Sequence, residues 1–376
     1  MTTSPATIAR AAVLTALDQP LSLRDGVEVE HPHPGEVRVR MVASGVCHSD
    51  LSFQNGTLPV TLPAVLGHEG AGRVEEVGEG VDHLVPGDHV VISWVPQCRT
   101  CYFCTHGQPH LCRTADAVLI TGGLLDGNPR LRLDGAPLQQ VLGTGTFCET
   151  TVVDATAVVK VPDDLDLSVA ALLGCAVLTG VGAALNTATI TPGDTVAVVG
   201  CGGVGLNVIQ GARLAGAGEI VAVDIHPGKL DLARRMGATT TVDASTQNAI
   251  GAVFDLTGQR GADVAFEAIG SGPTIDQTIT LTRRGGQAVL VGIPRMDVML
   301  TLPVTLGLVM AERTIKGCWY GSADVRRDIP VLIDHYRNGD LLLDELVSRR
   351  IGLDDVNTAL DDMATSGLAR SVVVFS

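Results

Sequence analysis

The stretch Thr195–Gly205, TVAVVGCGGVG, decides the fold of the second half of the chain. A five-residue buried-strand pattern runs directly into the spacing Gly-x-Gly-x-x-Gly, whose glycines are Gly200, Gly202 and Gly205. One such spacing is weak evidence in a chain with 44 glycines. Its context makes it specific, because a helical apolar pattern follows and the next strand ends in an acid, Asp224.

This arrangement predicts a dinucleotide-binding turn. Gly200 permits the tight turn, Gly202 lets the backbone approach a pyrophosphate, and Gly205 lets helix and strand pack closely. The pyrophosphate would lie at the helix N-terminus, where free N–H groups favour anions. Asp224 would accept hydrogen bonds from the adenosine ribose and repel a 2′-phosphate, so NAD is predicted over NADP. Lys229 either reaches the ribose or is an ordinary solvated lysine.

Strands and helices alternate beyond this turn, which predicts a doubly wound parallel sheet. The predicted elements are helices over 229–236 and 275–281 and strands over 262–267 and 288–292. Residues 297–302 and 314–319 have the pattern of edge strands that pair across a dimer.

The first half of the chain predicts a compact, β-rich, barrel-like domain. Val37, Val39 and Met41 alternate with charged residues, and residues 13–92 contain glycine and proline turns between short apolar runs. Residues 113–146 have the composition of a long loop.

Four cysteines lie close together with the spacing Cys-x2-Cys-x2-Cys-x7-Cys. They are Cys98, Cys101, Cys104 and Cys112. Four thiolates fit a closed tetrahedral zinc shell, which leaves no open position and is therefore structural. A redox pair is the alternative, but that chemistry needs two cysteines at a helix start.

Three further segments carry metal-binding side chains. These are Cys47-His48-Ser49-Asp50, Gly67-His68-Glu69-Gly70 and Leu172-Leu173-Gly174-Cys175-Ala176, the last on an Ala-rich segment that predicts a helix. Each alone is more simply explained as core packing or a turn. Together, Cys47, His68 and Cys175 are the right residue types for one metal site.

The overall composition excludes several classes of protein. A net charge of −15 and a pI near 5.0 argue against a nucleic-acid surface. The chain has no long apolar run typical of a membrane span and no signal-peptide pattern at Met1–Arg10. Nine cysteines in such a chain predict metal ligands rather than disulfides. We therefore expect a cytoplasmic enzyme acting on a small molecule, with neither nucleic acid nor membrane as partner.

In their order and spacing these motifs resemble the medium-chain, zinc-dependent alcohol dehydrogenases over essentially the whole chain. The long 113–146 segment is similar to the dimeric subgroup of liver-type and thiol-dependent formaldehyde dehydrogenases. The resemblance implies an α/β fold in which a GroES-like β-rich catalytic domain (1–178, zinc lobe about 95–115) is joined to a Rossmann domain (179–321), with 322–376 returning to the first domain.

The resemblance also implies two zincs per chain, NAD and a homodimer. Cys47, His68 and Cys175 would bind the catalytic zinc, with Glu69 close behind it and Asp50 orienting His68. Ser49 would take the proton of the alcohol. The implied cofactor-binding residues are His48, Thr179, Gly200, Gly202, Gly203, Val204, Gly205, Asp224, Lys229, Ile293 and Arg370. The implied pocket lining is Trp94, Val141, Leu142, Ile293 and Trp319.

The implied reaction interconverts a primary aliphatic or aromatic alcohol and its aldehyde, with hydride transfer to or from NAD. An S-(hydroxymethyl)thiol dehydrogenase is the alternative. Two positions depart from the family pattern. Ser52 stands where the proton relay of liver-type relatives ends in a histidine, and Asp116 stands where glutathione-dependent relatives have an arginine. A nucleotide-binding sensor and a thiol redox protein remain the competing classes.

Overall fold

The computed structural model describes residues 7–365 and 370–376. Its strands are β1 (Thr7–Leu14), β2 (Ser22–Val29), β3 (Glu36–Gly45), β4 (Ala64–Val65), β5 (Glu69–Val77), β6 (His89–Ile92), β7 (Leu131–Leu133), β8 (Ala136–Gln140), β9 (Thr150–Asp154), β10 (Val158–Lys160), β11 (Thr195–Val199), β12 (Glu219–Asp224), β13 (Thr240–Asp243), β14 (Ala262–Glu267), β15 (Thr282–Leu290), β16 (Thr314–Gly317), β17 (Val347–Ile351) and β18 (Arg370–Val374).

The described α-helices are fewer and longer on average than the strands, and most of their residues lie in the second half. They are α1 (His48–Gln54), α2 (Tyr102–Thr105), α3 (Arg113–Thr121), α4 (Leu167–Ala170), α5 (Ala176–Gly182), α6 (Gly203–Leu214), α7 (Pro227–Met236), α8 (Ala249–Leu256), α9 (Gly272–Leu281), α10 (Val325–Arg337) and α11 (Val356–Thr365). The sequence suggests that α11 stops at Gly367, a position outside the described residues.

Two antiparallel-rich sheets form the β-rich half. One closes into a barrel in the order β1-β2-β7-β8-β4, and the other runs β10-β6-β5-β3-β18-β17 with β9 also on β3. In β3 the side chains of Val37, Val39 and Met41 are buried, as the alternation predicts. Strand β18 pairs antiparallel with β3, with Val372 opposite Gly45, so the tail of the chain joins the sheet of the first half.

The second half is a parallel sheet in the order β13-β12-β11-β14-β15-β16. All of its neighbouring strands run parallel. Numbered from β11, this is the 3-2-1-4-5-6 order of a Rossmann fold, in which ligands bind at the carboxyl ends of the central strands. Helix α6 begins at Gly203, immediately after the glycine turn that leaves β11.

The prediction of a long loop over residues 113–146 is wrong. The segment contains α3 and the hairpin of β7 and β8, which completes the barrel. Helix α3 forms because the Cys112 sulfur accepts a hydrogen bond from the Thr114 N–H at its start and Gly122 adopts a left-handed φ of 69° at its end. The glycines that suggested a loop are the caps and turns between these short elements.

The helix predicted around Cys175 is interrupted at that residue. A 3₁₀ turn over Ala171–Gly174 precedes it, α5 follows it, and Cys175 itself has φ −146° and ψ −79°, which is not helical. Gly174 lies directly against the carbonyl of Ile92, where any Cβ would overlap, so this close approach requires a glycine before Cys175.

Thr314–Gly317 forms the edge strand β16, whereas residues 297–302 form no strand in the single chain, and the pairing of these segments across a dimer stays a prediction.

None of the helices that the structure describes is, taken singly, both long and apolar enough to cross a membrane. The segments Leu167–Gly174 and Ala176–Thr187 reach the length and apolar content of a membrane span only when they are taken together. They are bent by 53° where they meet.

Candidate active site

Asp50 ties the first two candidate zinc ligands to one another. Its carboxylate accepts hydrogen bonds from the Cys47 N–H at 2.9 Å, the Gly67 N–H at 3.0 Å and His68 Nδ1 at 3.1 Å. Because Asp50 occupies Nδ1, the other ring nitrogen of His68 is the one left for a metal. Asp50 is fully buried, so this orientation is held away from water.

The third candidate, Cys175, comes from the helix break between the two halves. The thiolate, imidazole and carboxylate donors of Cys47, His68, Glu69 and Cys175 all lie within 4.8 Å of one another, and all four residues are buried. Tetrahedral zinc with sulfur and nitrogen ligands needs donor separations of about 3.3–3.8 Å. This donor set therefore fits zinc, with an open position left once three residues bind.

The electrostatics of this cluster favour a cation. The hydrogen bond with Cys175, together with the Arg370 and His68 charges, holds the pKa of Cys47 well below its usual value. The same hydrogen bond and burial raise the pKa of Cys175. Burial raises the pKa of Glu69 to about 7, although Arg370 opposes the shift. A buried thiolate beside further donors is costly unless a positive charge neutralises it.

Arg370 connects this cluster to the dinucleotide turn. Its Nη2 donates to Glu69 Oε1 at 2.7 Å and lies 3.5 Å from Cys47 Sγ. A Cβ built on Gly203 would be 3.0 Å from the Arg370 guanidinium carbon, so the cation lies against the start of α6. Its Nε is buried and has no partner among the described residues. An unpaired buried donor at a helix N-terminus fits a phosphate ligand.

The glycine turn has the geometry of a dinucleotide site. Gly200 has φ +96°, and a Cβ on Gly205 would overlap the Gly200 carbonyl oxygen, so both positions need glycine. A Cβ on Gly202 would meet nothing within 4 Å, which leaves the backbone open to a ligand. The Asp224 carboxylate lies at the end of β12 and accepts from the Cys201 and His226 N–H groups.

The other predicted cofactor residues surround this turn or the zinc cluster. His48 is exposed at the start of α1, and Ser49 is half-buried with its Oγ 3.9 Å from Cys47 Sγ. Thr179 is 9% exposed in α5, and Ile293 is 49% exposed. Val204 and Lys229 are partly buried, at the start of α6 and in α7.

Part of the predicted pocket lining is assembled as an aromatic cluster. The rings of Trp94 and Trp319 meet edge to face with centroids 5.1 Å apart, and Tyr320 meets Trp94 at 4.7 Å. Val141 is buried and Leu142 is partly buried with a left-handed φ of 55°. No motif in the sequence predicts that Tyr320 packs against this aromatic wall.

Glu267 is a second buried residue that the sequence motifs miss. Its Oε1 accepts from the Ile269 N–H at 3.0 Å, the Gly270 N–H at 2.8 Å and Thr274 Oγ1 at 2.7 Å. These bonds shape the turn after β14, which presents Ile269 against Gly200. The sequence signal that could have found it is an acid at the end of a buried strand, Glu267, with a glycine three residues later, Gly270.

The four lobe cysteines form a separate cluster whose sulfurs also lie within 4.8 Å of one another. Backbone N–H groups point at the sulfurs: Cys98 donates to Cys112 at 3.3 Å, and Cys101 donates to Cys98 at 3.4 Å. Despite burial, hydrogen bonds from Thr100 and Cys101 lower the pKa of Cys98 to about 5. This is a donor set for a four-coordinate metal, and His110, with no hydrogen bond to a sulfur, is not needed in it.

Two family models match the chain. The model described as "Alcohol dehydrogenase GroES-like domain" matches residues 33–163, and the one described as "Zinc-binding dehydrogenase" matches residues 203–337.

Full-length relatives are similar as well. An alcohol dehydrogenase class-3 of Drosophila melanogaster is 39% identical, covering 97% of each chain. An S-(hydroxymethyl)glutathione dehydrogenase of Paracoccus denitrificans is 37% identical, covering 97% of this chain and 99% of its own. Among solved structures, benzyl alcohol dehydrogenase from Acinetobacter calcoaceticus superposes with a TM-score of 0.92 at 31% identity, covering 98% of this chain and all of its own.

Proposed function

Because the chain belongs to the family of zinc-binding alcohol dehydrogenases with a GroES-like domain, we propose that it interconverts primary alcohols and aldehydes with NAD as the hydride carrier. The observation that carries the proposal is the contact of Arg370 with both the buried donor cluster and the glycine turn. This contact places a candidate metal site next to a candidate dinucleotide site.

The residues that would hold the metal are Cys47, His68 and Cys175, with Glu69 behind them. When bound, zinc supplies a Lewis acid that lowers the pKa of an alcohol and polarises an aldehyde. Asp50 orients His68, and its burial keeps that orientation fixed. Ser49, half-buried beside Cys47, is the hydroxyl available to accept the proton of the alcohol.

The residues that would hold NAD are the glycine turn, Arg370 and Asp224. Arg370 offers a guanidinium to the pyrophosphate, and Asp224 offers a carboxylate to the ribose. NAD supplies the hydride-accepting ring. A second negative charge on the ribose would meet the Asp224 carboxylate, which favours NAD over NADP.

For the substrate, we propose uncharged alcohols with an aliphatic or aromatic group, because the wall at Trp94 and Trp319 is aromatic. The S-(hydroxymethyl)thiol alternative rests on the Paracoccus relative. Asp116 is exposed on α3, where an acidic side chain would repel a carboxylate-bearing thiol. This charge favours the simple alcohols.

We further propose a cytoplasmic homodimer. Large apolar side chains beside the sheet edge at β16 are strongly exposed: Met296 82%, Met299 83%, Leu306 70% and Val309 64%. A continuous exposed apolar stretch next to an open sheet edge is typical of a subunit interface. The nine free thiols suit a reducing compartment.

The test is a substrate and cofactor screen on the purified protein. Benzyl alcohol, 1-butanol and S-(hydroxymethyl)glutathione are each assayed with NAD, with NADP and without added cofactor. We expect alcohol-dependent reduction of NAD, with kcat/KM roughly tenfold or more lower for NADP because of the Asp224 charge. Equal values for NAD and NADP would remove the cofactor assignment. Turnover of the thiol adduct alone would favour the alternative substrate.

A further inference from the structure

Tyr320 contacts the backbone next to a candidate zinc ligand. Its hydroxyl oxygen lies 2.5 Å from the Gly174 carbonyl oxygen and 2.9 Å from Ser93 Oγ. The side chain is 2% exposed. A tyrosine has one hydroxyl proton, and a carbonyl can only accept, so the bond to Gly174 uses the proton of Tyr320. The Ser93 hydroxyl lies within hydrogen-bonding distance of both the Tyr320 oxygen and the Val95 carbonyl oxygen.

The Gly174 carbonyl belongs to the same planar peptide unit as the nitrogen of Cys175. The N–H side of that unit is weakly held, because Cys175 N lies 3.5 Å from the Leu172 oxygen. Its carbonyl side is held by the short Tyr320 bond. Since Cys175 is non-helical, no helical hydrogen-bond ladder fixes the plane, and Tyr320 becomes its main restraint.

The turn that carries Tyr320 also packs on the chain after Cys175. A Cβ on Gly321 would overlap the Leu178 carbonyl oxygen and approach the Thr179 carbonyl oxygen to 2.9 Å. The turn is conformationally unusual, because Tyr320, Gly321 and Ser322 have φ values of 51°, 66° and 49°. Positive φ in non-glycine residues is strained and persists where surrounding contacts enforce it.

We propose that Tyr320 is a positioning residue for the catalytic metal. The Tyr320–Ser322 turn, which follows the last strand of the Rossmann sheet, holds Cys175 from both sides and sets the direction of its thiolate through the Gly174 peptide. The same ring packs on Trp94, so the hydroxyl also fixes one wall of the substrate pocket. This inference rests on the proposed role of Cys175 as a zinc ligand.

The test is Tyr320→Phe, which keeps the ring packing and removes the hydroxyl. We measure release of zinc from the holoenzyme to a chromogenic chelator, and kcat and KM for benzyl alcohol and NAD. We expect release of one of the two zincs to accelerate roughly tenfold, because the Gly174 carbonyl loses its partner. kcat should fall several-fold while KM for NAD stays unchanged.

Two further variants separate positioning from general stability. Tyr336→Phe is the matched control, because its hydroxyl lies 2.8 Å from Asp344 Oδ2 on the partly exposed face of α10. It should leave zinc release and kcat unchanged. Ser93→Ala should show a smaller effect in the same direction, and the double variant Ser93→Ala/Tyr320→Phe should be no worse than Tyr320→Phe.

The outcomes are distinguishable. Unchanged zinc release in Tyr320→Phe, or equal effects in Tyr320→Phe and Tyr336→Phe, would overturn the positioning role. If Tyr320→Phe fails to fold, unchanged zinc release in Ser93→Ala overturns it. In either case a wild-type protein with two zincs and alcohol-dependent NAD reduction leaves the proposed function standing. A wild type with neither would remove the function itself.

Discussion

Asp50 joins three points of the chain that carry the candidate metal site. Its two oxygens accept from the Cys47 and Gly67 backbone N–H groups and from His68 Nδ1. Three donors converge on this one buried carboxylate. Asp50 therefore fixes both the backbone at Cys47 and the orientation of the His68 ring.

Replacing Asp50 with Asn should weaken zinc binding at the catalytic site. The amide has one oxygen, and its NH₂ group would face a donor, so the His68 ring loses its restraint. We expect zinc affinity at this site to fall about 10–100-fold, measured by competition with a chelator. Asp163→Asn, an exposed carboxylate, is the control and should have no effect. Equal affinity in both variants would contradict the role of Asp50.

Ser49→Ala should separate proton transfer from metal binding. The hydroxyl accepts only a long contact of 3.9 Å from Cys47 Sγ, which a zinc-bound thiolate does not need. We expect kcat to fall about 10²-fold while both zincs stay bound, as measured by metal analysis. Thr57→Ala, which removes a hydroxyl from the loop after α1, should keep full turnover. Undiminished kcat in Ser49→Ala would exclude this residue from the relay.

The motifs taken together resemble one family, and that resemblance, rather than any single motif, predicts the side chains of this site. In Gly67-His68-Glu69 and in the glycine turn, residues adjacent in the chain belong to the same proposed site, so the sequence shows them together. Tyr320 and Glu267 have no such motif. Tyr320 acts on Gly174, 146 residues away, and only the packing of the two halves brings them together.

Among the secondary-structure elements, those with long and regular apolar patterns are predicted from the sequence, whereas short elements are not. The strand over 262–267 is observed with the predicted bounds because its apolar run is buried on both faces of the sheet. The sequence does not predict helix α3 or the hairpin of β7 and β8, because the glycines of their caps and turns give the segment the composition of a loop. The close approach of Gly174 to the Ile92 carbonyl, next to the break at Cys175, joins residues far apart in the chain, so no local pattern predicts it.

The lobe of Cys98, Cys101, Cys104 and Cys112 should behave as one metal-bound element. Its sulfurs accept backbone N–H groups as metal-bound thiolates do, and the Arg99 guanidinium anchors the loop to Asp324 at 2.6 and 2.7 Å. We expect an alkylating reagent to leave these four thiols unmodified in the holoenzyme and to modify them after chelation, as read by mass spectrometry of peptides.

The fully buried thiols Cys148 and Cys201 serve as the internal control, because they should stay unmodified under both conditions while the protein remains folded. Rapid labelling of the lobe without a chelator would instead support a redox function for these cysteines.

At the scale of the whole molecule, the sequence predicts the two kinds of domain but not how they meet. The glycine spacing and the strand–helix alternation determine the Rossmann sheet, and the alternation in β3 predicts a half-buried sheet. The contact of Arg370 with both Glu69 and Gly203 depends on β18 lying beside β3, which is a long-range pairing. The domain boundaries at 178 and 321 stay predictions.

The exposed apolar stretch near β16 should hold two copies together. Leu306→Asp places a charge where 70% of the leucine is exposed in the single chain. We expect the wild type to have about twice the 39.0 kDa chain mass and the variant to fall towards one chain mass, as measured by light scattering after gel filtration. Leu119→Asp, at an exposed leucine of α3, should leave the mass unchanged. A monomeric wild type would contradict the proposed dimer.

We propose that Cys47, His68 and Cys175 bind a catalytic zinc and that the four lobe cysteines bind a structural one. The most direct measurement is zinc content together with alcohol-dependent NAD reduction for the wild type and Cys47→Ser. We expect about two zincs in the wild type and about one in the variant, with activity reduced about a thousandfold or more and the lobe thiols still protected from alkylation. A variant that keeps its activity, with either one or two zincs bound, would contradict it.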